Sequence, residues 1–459
     1  MNPLPEVRKV PADDVRRQLA GTRRVVILDD DPTGTQTVRD IPVLTRWTVA
    51  DIGWALDQPA AGFFVLTNTR SLPPDQAAAR DREVVSACLA AAQRDGARLV
   101  FASRSDSTLR GHFPLETDVI SELAPADAVL LVPAYVDAGR VTIGGEHWLR
   151  TAEGLLPVAD SEFARDPTFG FRSSRLDEWV EEKSGGRIRR ESVTLMKLDE
   201  IRDGTTETLA GVLAEARDGQ VIAVDADTDD DLRAVVLAVL AAEAAGARFV
   251  YRVGPSFVRA RVGQPALPPL DDAKLSALVR PDAHGLVVVG SHVAQTNRQL
   301  ARLAQRRKFA HVELDAPTVM DEAHAVQHIQ DVVTTATTAL ADSLVVLSTS
   351  RALVTGADGA ASLDIARQVS AALSRTVRQI VAARRPAFVI AKGGITSADI
   401  ATSALGIHRA WVRGSLLPGI VSLWEPASAQ AARLPYVVLA GNVGDENSLA
   451  DVIDRLAAS

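Results

Sequence analysis

The sequence predicts an α/β protein of two domains, each a mainly parallel sheet flanked by helices, with the substrate cleft between them. Three observations support this. Short runs rich in Val, Ile and Leu alternate with longer stretches of helical period, the pattern of strands joined by crossover helices. The chain has 459 residues, more than one hydrophobic core usually organises. Pro265, Pro268 and Pro269 precede a new strand at Leu286 to Val289, which places the domains at 1–270 and 280–459.

In the first half, Val25 to Leu28, Phe63 to Thr67, Leu99 to Ala102, Val129 to Val132 and Val221 to Val224 read as buried strands. Asp75 to Arg94 and Asp229 to Ala245 have helical spacing. From Gly139 to Arg190, glycines interrupt any period, and an irregular insert with short helices is expected. In the second half a strand, a Gly-containing turn and a helix recur from Leu286, Phe388 and Tyr436, with a further strand at Ser343 to Ser348.

Composition excludes several classes. With 47% hydrophobic and 24% charged residues the chain is globular, and at 4% aromatics its cores must be filled by Ala, Val and Leu. A net charge of -8 argues against nucleic-acid or anionic-membrane partners, which need clustered Lys and Arg. Cys88 is the only cysteine, so no internal disulfide or Cys-rich metal site exists. Met1 to Val10 lacks the apolar core of a signal peptide, and no stretch approaches a membrane span, so the expected location is the cytoplasm. A homo-oligomer is possible.

The first strand ends in Asp29-Asp30-Asp31-Pro32-Thr33-Gly34. Ligands of open α/β sheets bind outside the carboxyl ends of strands. Three adjacent carboxylates repel, so substrate hydroxyls, Mg²⁺ or Arg partners must offset them, whereas a helix cap would use only one. The next strand ends lead into Thr67 to Ser71 and Ser103 to His112. Arg70 and Arg110 read as forks for a substrate carboxylate, with Asp, Asn and Ser for its hydroxyls, while Arg104 serves either binding or a structural ion pair. His112 reads as structural, Glu116 and Asp118 as helix-dipole partners, and Arg140 to His147 as another pocket wall.

In the second half, Gly290-Ser291 with Thr296 and Gln299, Gly393-Gly394 with Thr396, and Gly441 with Gly444 each follow a strand. Free N–H groups at such turns suit phosphate, and three of them in one domain favour a nucleotide. Neither the Walker P-loop nor GxGxxG is present. Asp445 reads as a Mg²⁺ ligand or a helix cap, and Pro418-Gly419 as a loop over the base.

Asp30, Asp31, Thr33 and Gly34, the run Asp106-Ser107-Thr108-Leu109-Arg110-Gly111, and these C-terminal turns with Pro418-Gly419 resemble, in order, the four-carbon acid sugar kinase family. The resemblance covers nearly the whole chain. It implies an N-terminal acid-sugar domain, a C-terminal ATP domain, and phosphorylation of the terminal hydroxyl of threonate, erythronate or an oxo-tetronate with ATP and Mg²⁺. On this reading Asp30, Thr33, Arg70, Ser107, Thr108 and Arg110 bind substrate, and Asp31 or Asp106 orients or deprotonates the hydroxyl. Gly290, Ser291, Thr296, Gln299, Gly393, Gly394, Thr396, Gly419, Gly441 and Gly444 bind the nucleotide; no metal ligand is assigned. Leu439 and Ala440 stand where many relatives carry Lys or Ser, which leaves Lys392 or an Arg to meet phosphate. The competing readings are a Mg²⁺-dependent phosphatase or aldolase-type enzyme using the Asp cluster, and a nucleotide-sensing protein without turnover.

Overall fold

The computed structural model describes residues 5–281, 283–351, 354, 359–428, 431–441 and 443–457. It divides into two compact units, Met1–Leu267 and Pro268–Ser459.

Unit 1 contains strands β1 (Arg24–Asp29), β2 (Ile41–Leu44), β3 (Gly62–Leu66), β4 (Leu99–Arg104), β5 (Ala128–Val132), β6 (Arg140–Ile143), β7 (Glu146–Thr151), β8 (Gly154–Pro157), β9 (Thr194–Met196), β10 (Gln220–Val224) and β11 (Phe249–Val253). Its main sheet runs β2-β3-β1-β4-β11-β5-β10-β9, every pair parallel. Helices on both faces bury these strands, so they read as continuous apolar runs. The helix Pro74–Asp95 stops at Gly96, whose φ of 66° leaves the helical region. The helix Asp229–Ala244 starts from Thr228, whose hydroxyl accepts the Asp231 N–H.

Because β3, β1, β4 and β11 are parallel neighbours, their carboxyl ends fall along one edge. Asp29 pairs in register with Leu66 and Arg104, and Arg104 with Val253. The acidic turn, the Thr67–Ser71 segment and the Ser105–His112 loop therefore leave the sheet side by side.

The insert differs from expectation. Short helices are present, Leu176–Lys183 among them, but β6, β7 and β8 form an antiparallel meander. Gly144 and Gly145, with φ of 66° and 77°, make its tight two-residue turn. Two adjacent left-handed residues are what such a hairpin requires, so this glycine pair joins strands where the sequence reading had it break a helical period. Asp225, at the end of β10, fastens the turn: its carboxylate accepts the N–H groups of Gly144 (2.6 Å), Gly145 (2.8 Å) and Leu198 (3.2 Å).

Unit 2 contains β12 (Leu286–Val289), β13 (Ala310–Leu314), β14 (Val345–Thr349), β15 (Val389–Lys392), β16 (Arg409–Leu417), β17 (Val421–Pro426) and β18 (Tyr436–Leu439). The order is β13-β14-β12-β15-β18-β17-β16, parallel as far as β18 and antiparallel beyond it. Val287, Val289, Ile390, Val437 and Leu439 pack with Leu449 and Ile453 of the helix Ser448–Ala457. No described helix is long and apolar enough to cross a membrane.

Replacing Asp225 with Ala leaves the buried Gly145 and Leu198 N–H groups and the part-buried Gly144 N–H without this acceptor and should destabilise unit 1 by about 2–4 kcal/mol. A thermal unfolding profile matching the parent's would show that the hairpin does not depend on this carboxylate.

Candidate active site

Each of the three carboxylates of the acidic turn has its own main partner, with Arg70 and Arg104 also reaching a second one. Asp31 caps the 3₁₀ turn Pro32–Thr37: its Oδ1 accepts the Thr33 N–H at 2.8 Å and the Thr33 hydroxyl at 2.5 Å. Asp29 and Arg104, both buried, form an ion pair, and Arg104 Nη2 also donates to the Asp31 carbonyl at 2.5 Å. Arg104 is thus a structural partner. Arg70 forks onto Asp30, with Nε at 3.0 Å and Nη2 at 2.6 Å, and its side chain keeps 20% exposure. Gly34 closes over the Asp29–Arg104 pair, where a Cβ would lie 2.3 Å from both Arg104 Nε and Asp29 Oδ1.

Burial pushes Asp29 and Asp30 up, opposed by Arg104 and Arg70. Burial also pushes Asp31 up, but Arg70, Arg104 and the Thr33 hydrogen bonds outweigh it and leave this carboxyl below its ordinary value.

The Asp106–Gly111 loop forms the centre of the site. Asp106 accepts the Thr108 hydroxyl and, at 2.6 Å, Arg110 Nε. Ser107 Oγ accepts Arg140 Nη1 at 2.9 Å, while the Ser107 carbonyl accepts His147 Nε2 at 2.8 Å. Burial pushes His147 down to about 4, so its imidazole is neutral near pH 7. A carbonyl can only accept; Nε2 therefore bears the proton, and Nδ1 accepts the Thr142 hydroxyl at 2.9 Å. From the insert, Phe163 lies under the guanidiniums of Arg110 at 5.0 Å and Arg140 at 5.7 Å, and Asp166 meets Arg110 Nη1 at 3.3 Å. Burial opposes ionisation of Asp106, but Arg70, Arg110, Arg140 and the Thr108 hydroxyl hold it well below the usual carboxylate range.

His112 Nε2 contacts the Thr69 and Leu72 carbonyls at 3.1 and 3.0 Å, a structural role as expected. Glu116 and Asp118 lie in the first turn of the helix Leu115–Leu123, where a dipole partner belongs, but Glu116 does more than that. It is buried and accepts the hydroxyls of Thr69 (2.9 Å), Ser103 (2.8 Å) and Ser105 (3.0 Å), bolting two strand-end loops together.

In unit 2, β12, β15 and β18 are adjacent, so their glycine turns gather. A Cβ on Gly290 would lie 2.3 Å from Thr396 Oγ1; on Gly393, 3.0 Å from the same atom; on Gly441, 2.6 Å from Ser291 Oγ. Gly394 begins the helix Gly394–Asp399. Thr296 and Gln299 are fully buried, and their side chains turn to the last glycine segment. The Thr296 hydroxyl donates to the Gly441 carbonyl at 3.1 Å, and Gln299 Nε2 to the Val443 and Asp445 carbonyls at 3.1 and 2.7 Å. Gly444 has a φ of 80°, and a Cβ there would lie 3.5 Å from Ile420, which follows Gly419 in the β16–β17 turn. Asp445 precedes the helix Ser448–Ala457, which starts later than the expected Glu446, and its carboxylate accepts the Asn447 N–H and the Ser448 hydroxyl at 2.9 Å each.

Of the basic residues considered for phosphate, Lys392 is fully buried and its Nζ donates to the Ala440 carbonyl at 2.6 Å. Arg351, just beyond β14, had no sequence signal; its Nη2 donates to the Ser291 carbonyl at 2.7 Å, which sets a cation beside the turns. The helix Ala294–Arg306 has no side-chain cap at Val293, so its first N–H groups are available to an anion. Among the described residues no group of three or more His, Cys, Asp or Glu could hold a metal ion.

The fold sets an arginine-ringed carboxylate at the strand ends of unit 1 and three glycine turns at the strand ends of unit 2. Residues 25–261 match the family model of a sugar-binding N-terminal domain, and residues 286–449 that of a nucleotide-binding C-terminal domain. The chain belongs to the four-carbon acid sugar kinase family. It is 26% identical over 322 residues to a D-erythronate kinase of Heliobacterium modesticaldum, covering 67% of this chain and 66% of that one. It is 29% identical over 220 residues to a 3-oxo-tetronate kinase of Methylobacterium radiotolerans, covering 46% and 49%. With a 3-oxo-isoapionate kinase of Paraburkholderia graminis it shares 33% over 155 residues, covering 31% and 33%. The matched part thus spans less than two thirds of each relative's length. Solved structures from Salmonella typhimurium LT2 (TM-score 0.68, 18% identity, 95% of this chain and 98% of that one) and Haemophilus influenzae (TM-score 0.62, 17% identity, 94% and 99%) share the fold.

Burial pushes the Lys392 amine from its ordinary 10.5 down to about 7. Between these values the unfolded chain holds a proton that the folded chain has released, so stability rises with pH across this window. Measured by calorimetry against Lys392→Met, the parent should gain stability with a slope approaching about 1.4 kcal/mol per pH unit. Parallel pH profiles for the two proteins would mean that Lys392 stays charged in the fold.

Proposed function

We propose that this chain is an ATP-dependent kinase that phosphorylates the terminal hydroxyl of a four-carbon acid sugar of the threonate, erythronate or oxo-tetronate type. The observation that carries the reading is Asp106 ringed by Arg70, Arg110 and Arg140 at the strand ends of a family sugar-binding domain. Guanidinium forks suit a carboxylate, and the carboxylate and hydroxyls of Asp106, Ser107 and Thr108 suit a chain of substrate hydroxyls.

In unit 2 the backbone N–H groups of the Gly290, Gly393–Gly394 and Gly441–Gly444 turns, with Arg351, would cradle the phosphates of ATP, while Thr296, Gln299 and Thr396 shape those turns. Mg²⁺ bound with ATP would supply charge neutralisation at the phosphates, held chiefly by their oxygens and by water. In unit 1, Asp106 is too weak a base to take a hydroxyl proton early. It instead accepts a hydrogen bond and aims the oxygen, which suffices where the transition state is loose. Asp31, bound to Thr33 and also below its ordinary value, has the same character.

The metal-dependent phosphatase reading loses ground because Asp29 and Asp30 are already paired with Arg104 and Arg70.

Incubation of the purified protein with Mg-ATP and a panel of tetronates should release ADP with at least one of them. No ADP above the sugar-free background from any would overturn the kinase reading, and tight ATP binding in that case would favour a sensor. Asp106→Asn and Arg110→Ala should each lower transfer by about 100-fold or more while nucleotide affinity is retained. Equal loss of nucleotide binding would place these residues outside the sugar site.

A further inference from the structure

Arg252 lies near the end of β11 with 0% relative exposure, and among the described residues no carboxylate forms a salt bridge with it. Its Nε and Nη1 make no hydrogen bond. Burial disfavours its charge, and Glu116, Asp30 and Asp106 offset this only through space, with Arg70 opposing them. Its planar face lies over Trp179 at 5.9 Å. A buried cation so poorly satisfied is a liability for folding, and an apolar side chain of similar volume would often be as stable or more so. Such a residue calls for an explanation in function.

Its one hydrogen bond indicates where that function lies. Arg252 Nη2 donates to the carbonyl of Arg110 at 3.0 Å. Arg110 sits in a loop whose backbone resists its own shape: Leu109 adopts φ 69°, rare for a branched residue, and Gly111 adopts φ 123°. A Cβ on Gly111 would lie 3.4 Å from Asp30 Oδ2 and 3.6 Å from Arg252 Nη2, so the loop closes directly onto both. The buried Leu109 side chain anchors the loop from the core, and Arg252 anchors the next peptide. These two anchors hold the loop on either side of Arg110, while His147 and Arg140 hold it at Ser107.

We propose that Arg252 is a positioning residue for the acid-sugar site, pinning the Arg110 carbonyl so that the Asp106–Gly111 loop keeps its ligand-holding shape. The proposal rests on the kinase reading above. Arg252 adds positive potential beneath the pocket without touching the substrate.

The test compares the full-length parent with Arg252→Met and Arg252→Gln by steady-state kinetics for acid sugar and for ATP, calorimetric binding of the acid sugar, and thermal unfolding. For Arg252→Met the KM and Kd for acid sugar should rise by about tenfold or more, the equivalent of losing one positioned hydrogen bond. Its KM for ATP should change by less than about twofold, and its melting temperature should equal or exceed the parent's. Arg252→Gln, which keeps an amide donor for the carbonyl, should recover part of the affinity. An Arg252→Met variant that binds acid sugar like the parent overturns the inference and leaves the kinase reading intact. A variant that loses both affinities together with melting temperature overturns it in favour of a purely structural role. A parent that neither binds nor turns over any acid sugar removes the kinase reading, and the inference with it.

Discussion

The buried ion pair between Asp29 and Arg104 is the contact on which the unit 1 site depends. These residues are register partners on β1 and β4, so the pair spans two neighbouring strands where they leave the sheet. Arg104 also holds the Asp31 carbonyl, and Gly34 folds over the pair with no room for a side chain. Each partner makes the other tolerable: removing one leaves an uncompensated buried charge, typically a loss of about 3–5 kcal/mol. The turn that presents Asp31 and Thr33 is shaped from below by this contact.

With that contact in place, the remaining acidic groups differ through their partners. Asp30 is locked by the Arg70 fork, Glu116 is consumed by three hydroxyls, and Asp225 by three N–H groups. Asp106 stands among the guanidiniums of Arg70, Arg110 and Arg140, and Arg70 and Arg110 keep part of their side chains exposed, so the positive charge around it is not fully buried. Unit 2 solves a different problem, bringing backbone close to backbone. There glycines at three strand ends leave room for Thr396 and Ser291, and the buried Thr296 and Gln299 hold the last turn by its carbonyls.

Much of this was legible in the sequence because strands buried on both faces leave unbroken apolar runs: β1, β3, β4, β5, β10, β12, β14, β15 and β18 were all visible as such. The strands that escaped lack that signature. β2 contains Pro42, β9 has three residues, β11 carries Arg252 inside a buried run, and β13 alternates with exposed His311 and Glu313. The acidic turn and the glycine turns were readable because residue type and strand end coincide. Which arginine meets which carboxylate was not, since Asp30 and Arg70 are 40 residues apart and Asp29 and Arg104 are 75 apart, distances bridged only by topology. Phe163, Asp166 and Arg351 carried no local signal at all.

The β6–β8 meander and the turns after it enter the chain between β5 and β9, outside the parallel sheet, yet they supply Arg140, Phe163 and Asp166 to the pocket. The pocket therefore has a fixed floor and an exchangeable wall. Its floor is built from strand ends whose charges are mutually dependent, so a change there disturbs the sheet. Phe163 and Asp166 take part in no strand pairing of the main sheet, so substitutions at them can alter the size and polarity around Arg110 while the floor keeps its shape. The two demands of a binding site, a stable framework and an adjustable fit, fall on different segments of the chain.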